Sequence, residues 1–384
     1  MNRADLQALT RRPPVVIAGL TILAILGFIV VNRLVHRFAE QQKALARHLY
    51  AQGLAEQQAG ASDHAIEHFR AALLYTHDNF DYQLALARAL RDTGRTEEAE
   101  AYLVNLWEHS PQDGNVNLAL GRLWARQQSL DKTIQYYHYA IYGVWASDPE
   151  ANRLNTWFEL IERLLKMNAR PQAQAELITL SAELPHRIDL QLRTASLFMA
   201  AQDYDHALAE YRAVLRGNRD NASALQGAGA AAFHLARFAE AGRYLQEAIA
   251  AGSQDEATVQ QLELVRTILA TDPFNLRLST TERGRRVRTA FQTAGKRLET
   301  CAANLGIDLH NQSSGGNLPG LESRWLEIKA PVTRRSFLAD TDVQNSALDL
   351  AFQIEQETQQ ECGPPSGIDQ ALLLIAQNHP GAEP

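Results

Sequence analysis

The chain has 384 residues, a net charge of −7 and an apolar content of 46%. The length is sufficient for more than one folded unit, and the apolar content is sufficient for packed helices. The negative charge argues against nucleic acid as a partner, because surfaces that bind nucleic acid are usually basic. A mean hydropathy of −0.28 indicates that most of the chain is soluble.

An apolar segment runs from Val15 to Val31, and Thr21 is its only polar residue. Seventeen helical residues span roughly 26 Å, close to the thickness of the hydrocarbon core of a bilayer. Arg33 and Arg37 follow and can reach the lipid–water interface. We therefore predict a transmembrane helix within an N-terminal domain, residues 1–37. The alternatives are a buried core helix and a cleaved signal peptide; the missing small-residue cleavage site favours an uncleaved signal-anchor.

The orientation of this anchor rests on a small difference in charge. Three Lys and Arg residues precede the span and four follow it closely, so the positive-inside rule is almost balanced. We favour the short tail with Arg11 and Arg12 on the cytoplasmic side and the rest of the chain outside the cytoplasm. The opposite orientation, with a cytoplasmic soluble part, is the alternative.

A 34-residue period of small and bulky apolar residues follows the anchor. Within each unit, a small eighth residue allows two helices to cross closely, and a bulky twenty-fourth residue fills the adjacent space. A fixed period of this length predicts stacked helix pairs that bury their apolar faces on their neighbours. Six units begin near Ala46, Phe80, Gly114, Leu154, Ile188 and Ala222, with a six-residue insertion before the fourth.

Pro111 and Pro185 occupy the thirty-second position, where the second helix of a unit should end. With small residues at positions 8, 20 and 27, this pattern resembles the tetratricopeptide repeat (TPR), here of a membrane-anchored bacterial type. The resemblance covers about 200 of the 384 residues, and Thr133 and Ile161 depart from it. It implies a single-pass protein of the bacterial inner membrane, with an α-solenoid that binds other proteins and, in the favoured orientation, lies in the periplasm.

The fold that we predict is all-α and has three parts. The anchor is followed by a TPR-like solenoid with a capping helix, residues 38–272. A small helical C-terminal module, residues 273–384, contains a flexible loop at residues 310–320. In this module, Ser279 is expected to start a helix, and two further helices are expected near residues 342–360 and 368–377.

The family resemblance implies a concave groove, lined by the first helix of each unit at its second, fifth, ninth and twelfth positions. Arginines at or beside these positions in units two and three suit carboxylates, so a protein or peptide partner with an acidic segment is expected. They are Arg88, Arg91, Arg122 and Arg126. Leu84 and Leu118 replace the lysine of the carboxylate-clamp subclass, so binding of chaperone tails is not implied. Solvated arginines without a ligand are the alternative.

Two opposite charge blocks mark the C-terminal module. Residues 277–335 carry a balance of +6, and residues 336–384 carry eight acidic residues without Lys or Arg. We expect the blocks to face each other; a basic surface for a membrane or an acidic partner is the alternative. Cys301 and Cys362 lie near predicted helix ends and would close a loop of about sixty residues if paired in an oxidising compartment. Two buried free thiols are the alternative.

Catalytic and phosphate-binding motifs were not found in the sequence. His64 and His68 have a spacing that suits a metal, but the register of the repeat places both away from the buried face. Tyr137 is expected in the core, and the aromatic residues around it line the insertion or form a partner surface. We therefore predict a non-enzymatic scaffold without cofactor or metal. An accessory subunit of an envelope enzyme system, in cytochrome maturation or polysaccharide assembly, is the alternative, and an enzymatic C-terminal module is a third hypothesis.

Overall fold

The computed structural model describes residues 13–310 and 317–378, and all regular elements in this part of the chain are helices. A single isolated bridge, between Asp113 and Val144, is the β pairing found among these residues. The all-α prediction is therefore confirmed. The helices belong to two compact units, Met1–Ala169 and Arg170–Pro384.

The first unit begins with one unbroken helix that joins the apolar segment to the first repeat. Helix α1 extends over Pro13–Gln58 and does not break at residue 37, the predicted end of the anchor domain. Its apolar window has a mean hydropathy of 2.1 and no buried residue, so the helix is long and apolar enough to cross a membrane. The other helices are α2 (Ser62–Tyr75), α3 (Phe80–Asp92), α4 (Thr96–His109), α5 (Gly114–Arg126), α6 (Leu130–Ile141) and α7 (Pro149–Lys166).

The helices of the first unit pair as the 34-residue period predicts. A Cβ atom on Gly53 would lie 2.6 Å from the ring of Phe69, and a Cβ atom on Gly121 would lie 2.7 Å from the ring of Tyr137. Larger residues at these glycine positions would therefore separate the helices. The predicted contact between the eighth and twenty-fourth positions is confirmed in both repeats, and Tyr137 is fully buried as expected.

The second unit contains further helix pairs with the same packing. Gly229 lies against Leu245, where an added Cβ would approach the side chain to 2.7 Å. Helix α8 ends at Glu183, before Pro185, as the repeat pattern predicts. The predicted capping helix is also confirmed, and it packs on α12. These helices are α8 (Arg170–Glu183), α9 (Ile188–Ala200), α10 (Tyr204–Gly217), α11 (Ala222–His234), α12 (Phe238–Ala250) and the cap α13 (Glu256–Thr271).

The C-terminal module is helical and shares its core with the cap. Ile268 of α13 belongs to the same hydrophobic cluster as Phe291, Trp325 and Leu372, so the predicted boundary at residue 272 crosses one core. The Ser279 hydroxyl accepts the main-chain N–H of Glu282, as expected for a helix start. The helices are α14 (Thr280–Leu305), α15 (Leu318–Thr333), α16 (Thr341–Cys362) and α17 (Gly367–Asn378), with a 3₁₀ helix at Arg335–Ala339.

Helix α15 was not predicted from the sequence. Residues 311–316 of the predicted flexible loop lie outside the described residues, but residues 318–320 form the first turn of α15. Pro319 occupies that turn, where a missing N–H costs little, and Pro331 lies near the other end. The two prolines and the glycines made a helical segment read as a linker. Its Trp325 ring stacks on Phe291 at a centroid distance of 5.4 Å.

Candidate peptide-binding groove

Four arginines that were predicted to line the groove lie on two first helices of adjacent repeats. Helix α3 carries Arg88 and Arg91, and helix α5 carries Arg122 and Arg126. The two helices contact each other directly, because the first helices of stacked repeats lie side by side. The structure thus brings the four side chains to one surface of the first unit, but it gives them different partners.

Arg88 is half-buried and only partly satisfied by hydrogen bonds. Its Nη2 atom donates to the side-chain oxygen of Asn115 at 3.0 Å. Its Nε atom is buried and has no acceptor among the described residues. Burial lowers the pKa of the Arg88 guanidinium, and the nearby charges of Arg122 and Arg91 lower it further. The guanidinium therefore lies among like charges, and an anion would be stabilised beside it.

Arg91 is more deeply buried, with 11% of its side chain exposed. Its Nε and Nη2 atoms donate to the adjacent Asp92 at 3.0 and 2.7 Å. Its Nη1 atom is buried and has no acceptor within the described part of the chain. Arg126 donates from Nη1 to the main-chain carbonyl of Arg91, which links the two helices at this point. Arg88 and Arg91 therefore each present one unsatisfied buried N–H group.

Arg122 is neutralised within the protein. Its Nε and Nη2 atoms donate to the two oxygens of Glu159 on α7, at 2.8 and 2.6 Å. The Tyr137 hydroxyl donates to the same carboxylate at 2.9 Å. Burial alone would raise the pKa of Glu159, but the hydrogen bonds and charge of Arg122 lower it overall. The carboxylate stays ionised, so Arg122 is less available to a ligand than Arg88.

Glu159 was missed by the reasoning from sequence. It lies on the first helix of the fourth unit, after the six-residue insertion. An acidic residue on the first helix next to an arginine-bearing one is a signal for such a pair. The insertion hid it, because the start of helix α7 at Pro149 lies before the predicted start of the unit near Leu154.

The insertion before α7 packs back onto the start of α5. The main-chain N–H of Gly114 donates to the carbonyl of Val144 at 2.9 Å. The Trp145 ring covers Gly114, where any Cβ would overlap it, and its Nε1 atom donates to Ala140 at 3.0 Å. Trp145 thus has a packing role, whereas Tyr142 keeps 63% of its surface exposed.

The two cysteines of the chain meet in the C-terminal module. Cys301 of α14 and Cys362 of α16 are joined in a disulfide, with their Cα atoms 5.8 Å apart. Beside them, Arg297 donates from Nε to the Thr358 hydroxyl at 2.8 Å and from Nη2 to the carbonyl of Gly363 at 2.9 Å. The end of α16 is therefore fixed to α14 by side-chain contacts as well as by the sulfur atoms.

A buried carboxyl group lies next to this connection. Glu355 of α16 exposes none of its surface, and Arg297 Nε lies 3.3 Å from its Oε2 atom. Neither of its side-chain oxygens has a hydrogen-bond partner among the described residues. Burial, and then the charge of Asp369 on α17, raise the pKa of Glu355 to about 9, and Arg297 opposes them. Burial also raises the pKa of Asp369.

The two charge blocks of the C-terminal module do not pair as expected. Arg286 and Arg288 donate to main-chain carbonyls, and Arg283 donates to the side chains of Gln344 and Asn345. The ion pair between Arg297 and Glu355 is the contact between the blocks that the described residues form. The basic residues satisfy the ends of helices instead, because carbonyls there lack intrahelical partners.

Comparison with known proteins identifies the repeats. Family models for the tetratricopeptide repeat match residues 56–123 and 192–256. A search of curated proteins found no match.

Three solved structures illustrate the likeness in fold. A tetratricopeptide repeat protein from Parabacteroides merdae is 12% identical, with a TM-score of 0.38, over 64% of this chain and 92% of that one. PilF of Pseudomonas aeruginosa is 18% identical, with a TM-score of 0.38, over 57% and 98%. The TPR2AB domain of yeast Sti1 in complex with pHSP90 is 17% identical, with a TM-score of 0.24, over 60% and 97%.

The family matches agree with the internal evidence from packing. Residue 53 lies just before the first matched segment, and Gly121 and Gly229 lie within the two segments at the expected helix crossings. Repeats of this kind indicate a protein–protein interaction scaffold. The chain therefore belongs to the tetratricopeptide-repeat proteins through these two segments.

Proposed function

We propose that this protein is a non-enzymatic, membrane-anchored scaffold that binds an acidic segment of a partner protein. The binding surface is the groove of the second and third repeats, at Arg88 and Arg91. The observation that carries this proposal is that each arginine has a buried N–H group without an acceptor. A carboxylate of the partner would accept these hydrogen bonds and neutralise the two charges.

The alternative of solvated arginines fits these two residues less well than a ligand does. A solvated guanidinium satisfies its N–H groups with water, whereas the Arg88 Nε and Arg91 Nη1 atoms are inaccessible to solvent. An unsatisfied buried donor costs about 1–3 kcal/mol. A groove that keeps two such donors is suited to a partner that supplies the acceptors.

The anchor supports a role at a membrane. None of the apolar window of α1 is buried, and exposed side chains such as Leu23 and Phe28 need an apolar environment. The helix continues without a break into the first repeat, which favours an uncleaved anchor over a signal peptide. It also holds the first repeat close to the lipid surface. We place the repeats in the periplasm of a bacterium, with the N-terminal tail in the cytoplasm.

Membrane fractionation and a reporter fusion test the anchor. We expect the protein to stay in membranes after an alkaline carbonate wash. An alkaline phosphatase fused after Pro384 should be active, because this enzyme needs an oxidising compartment. An active cytoplasmic reporter at the same position would reverse the topology, and release by carbonate would contradict the anchor.

Peptide binding to the full chain in nanodiscs of zwitterionic lipid tests the groove. A labelled peptide with consecutive glutamates should bind, and the same peptide with glutamines should not. Arg88→Gln and Arg91→Gln should each weaken binding by about tenfold, the value of one charge-assisted hydrogen bond. Arg95→Gln removes the same charge from the second helix of a repeat and should leave the affinity unchanged. Equal effects of all three variants would contradict the proposed site.

A further inference from the structure

A second group of basic side chains surrounds a cavity at the far end of the same helices. The cavity has a volume of about 410 Å³ and lies where α5 and α7 end. Arg126 lines it from α5, and Arg163 and Lys166 line it from α7. The side chains of Gln128 and Asn168 complete its polar wall. Three cations and two amides thus converge on a space that can hold a small anionic group.

The charges around this cavity are not balanced by the protein. No Asp or Glu is among the residues that line it, all of which belong to the described part of the chain. Arg163 lies 3.8 Å from Glu159, but that carboxylate is already bound by both arms of Arg122. Arg126 donates to a carbonyl of Arg91, which carries no formal charge. The cavity is therefore a region of net positive charge.

Basic residues at helix ends often serve the helix itself, since they offset the partial negative charge of its last carbonyls. At both ends, main-chain groups already bind such carbonyls. The N–H of Gln128 donates to Ala125 at 3.3 Å, and the N–H of Asn168 donates to Leu165 at 3.1 Å. Stabilisation of two separate helices also does not require the basic side chains of both to meet at one cavity.

We propose that Arg126, Arg163 and Lys166 form a second carboxylate site, which binds another acidic side chain of the partner segment held at Arg88 and Arg91. This inference rests on the proposed function. The hydrogen bond from Arg126 to the Arg91 carbonyl makes the two sites contiguous. The ligand class is therefore a protein segment with several acidic residues, because two linked contacts bind more tightly than one.

The test compares two labelled peptides on the full chain in nanodiscs of zwitterionic lipid, at physiological ionic strength. One peptide carries several consecutive glutamates, and the other carries one glutamate among glutamines. Lys166→Gln should weaken binding of the multi-glutamate peptide by about fivefold to tenfold and leave the single-glutamate peptide unchanged. Arg88→Gln should weaken both peptides. Arg70→Gln, an equal charge change on α2, should affect neither.

The outcomes separate the second site from the first. If Arg88→Gln weakens both peptides but Lys166→Gln behaves like Arg70→Gln, the second site is refuted and the proposed function stands. If Lys166→Gln and Arg70→Gln weaken binding equally, attraction is non-specific and the second site is refuted as well. If Arg88→Gln has no effect on either peptide, the proposed function itself fails. Unchanged melting temperatures establish that all three variants are folded.

Discussion

The buried carboxyl group of Glu355 should make the stability of the protein depend on pH. In the folded protein, burial and the facing Asp369 raise its pKa to about 9, whereas the ordinary value is 4.5. Arg297 is the charged residue on the other side and acts against this rise. Glu355 therefore keeps its proton at neutral pH when folded and loses it when unfolded.

The sign and size of the effect follow from this difference. A group with a raised folded pKa contributes stability that is fully present below its unfolded pKa and is lost as pH rises towards the folded pKa. Each pKa unit corresponds to about 1.4 kcal/mol. The free energy of unfolding should thus fall by about 3 kcal/mol between pH 4.5 and pH 7 on account of Glu355 alone.

Glu355→Gln keeps the shape of the side chain and removes the need for a proton. We expect the variant to match the wild type at pH 4.5 and to be more stable by about 3 kcal/mol at pH 7. Denaturant unfolding of the full chain in detergent, followed by circular dichroism, measures both values. Glu361→Gln, an exposed change on the same helix, is the control. A difference that does not vary with pH, or a less stable variant at pH 7, would refute the reasoning.

Other substitutions probe packing, the groove and the disulfide. Ala207→Leu overpacks a fully buried helix crossing and should cost about 1–3 kcal/mol; an unchanged melting temperature, equal to that of exposed Ala209→Leu, would contradict the repeat register. Glu159→Gln should tighten binding of the acidic peptide in the anisotropy assay, because it releases Arg122; weaker binding would count against the groove. Cys362→Ser should lower the unfolding free energy of oxidised protein by about 4 kcal/mol, and an equal loss in reduced protein would argue against a bond.

The helical repeats could be predicted from the sequence because their packing is local and periodic. Gly53, Gly121 and Gly229 each meet a bulky residue sixteen positions later, and this spacing is visible without a structure. The period also places Arg88 and Arg122 on the same surface. What it does not contain is the partner of each arginine, because that depends on side chains from a different repeat.

The rest of the molecule lacks a period and was predicted less well. The pairing of Arg122 with Glu159 crosses an insertion that shifts the start of α7. Helix α15 was hidden by Pro319 and Pro331, which are common in loops but fit the ends of this helix. The charge blocks of the C-terminal module were expected to attract each other, yet most of their arginines bind carbonyls. Such contacts are set by tertiary packing, which composition does not encode.

The central claim is that the concave surface holds a partner through its arginines while the protein is in its membrane. Site-specific photo-crosslinking in cells tests it most directly, with a photoreactive residue at Asp81 in the groove or at Glu97 on a second helix. The account predicts a crosslink at position 81 to an acidic segment, identified by mass spectrometry, and its loss with Arg88→Gln. A partner captured only from position 97, or one that persists at position 81 in the Arg88 variant, would contradict it.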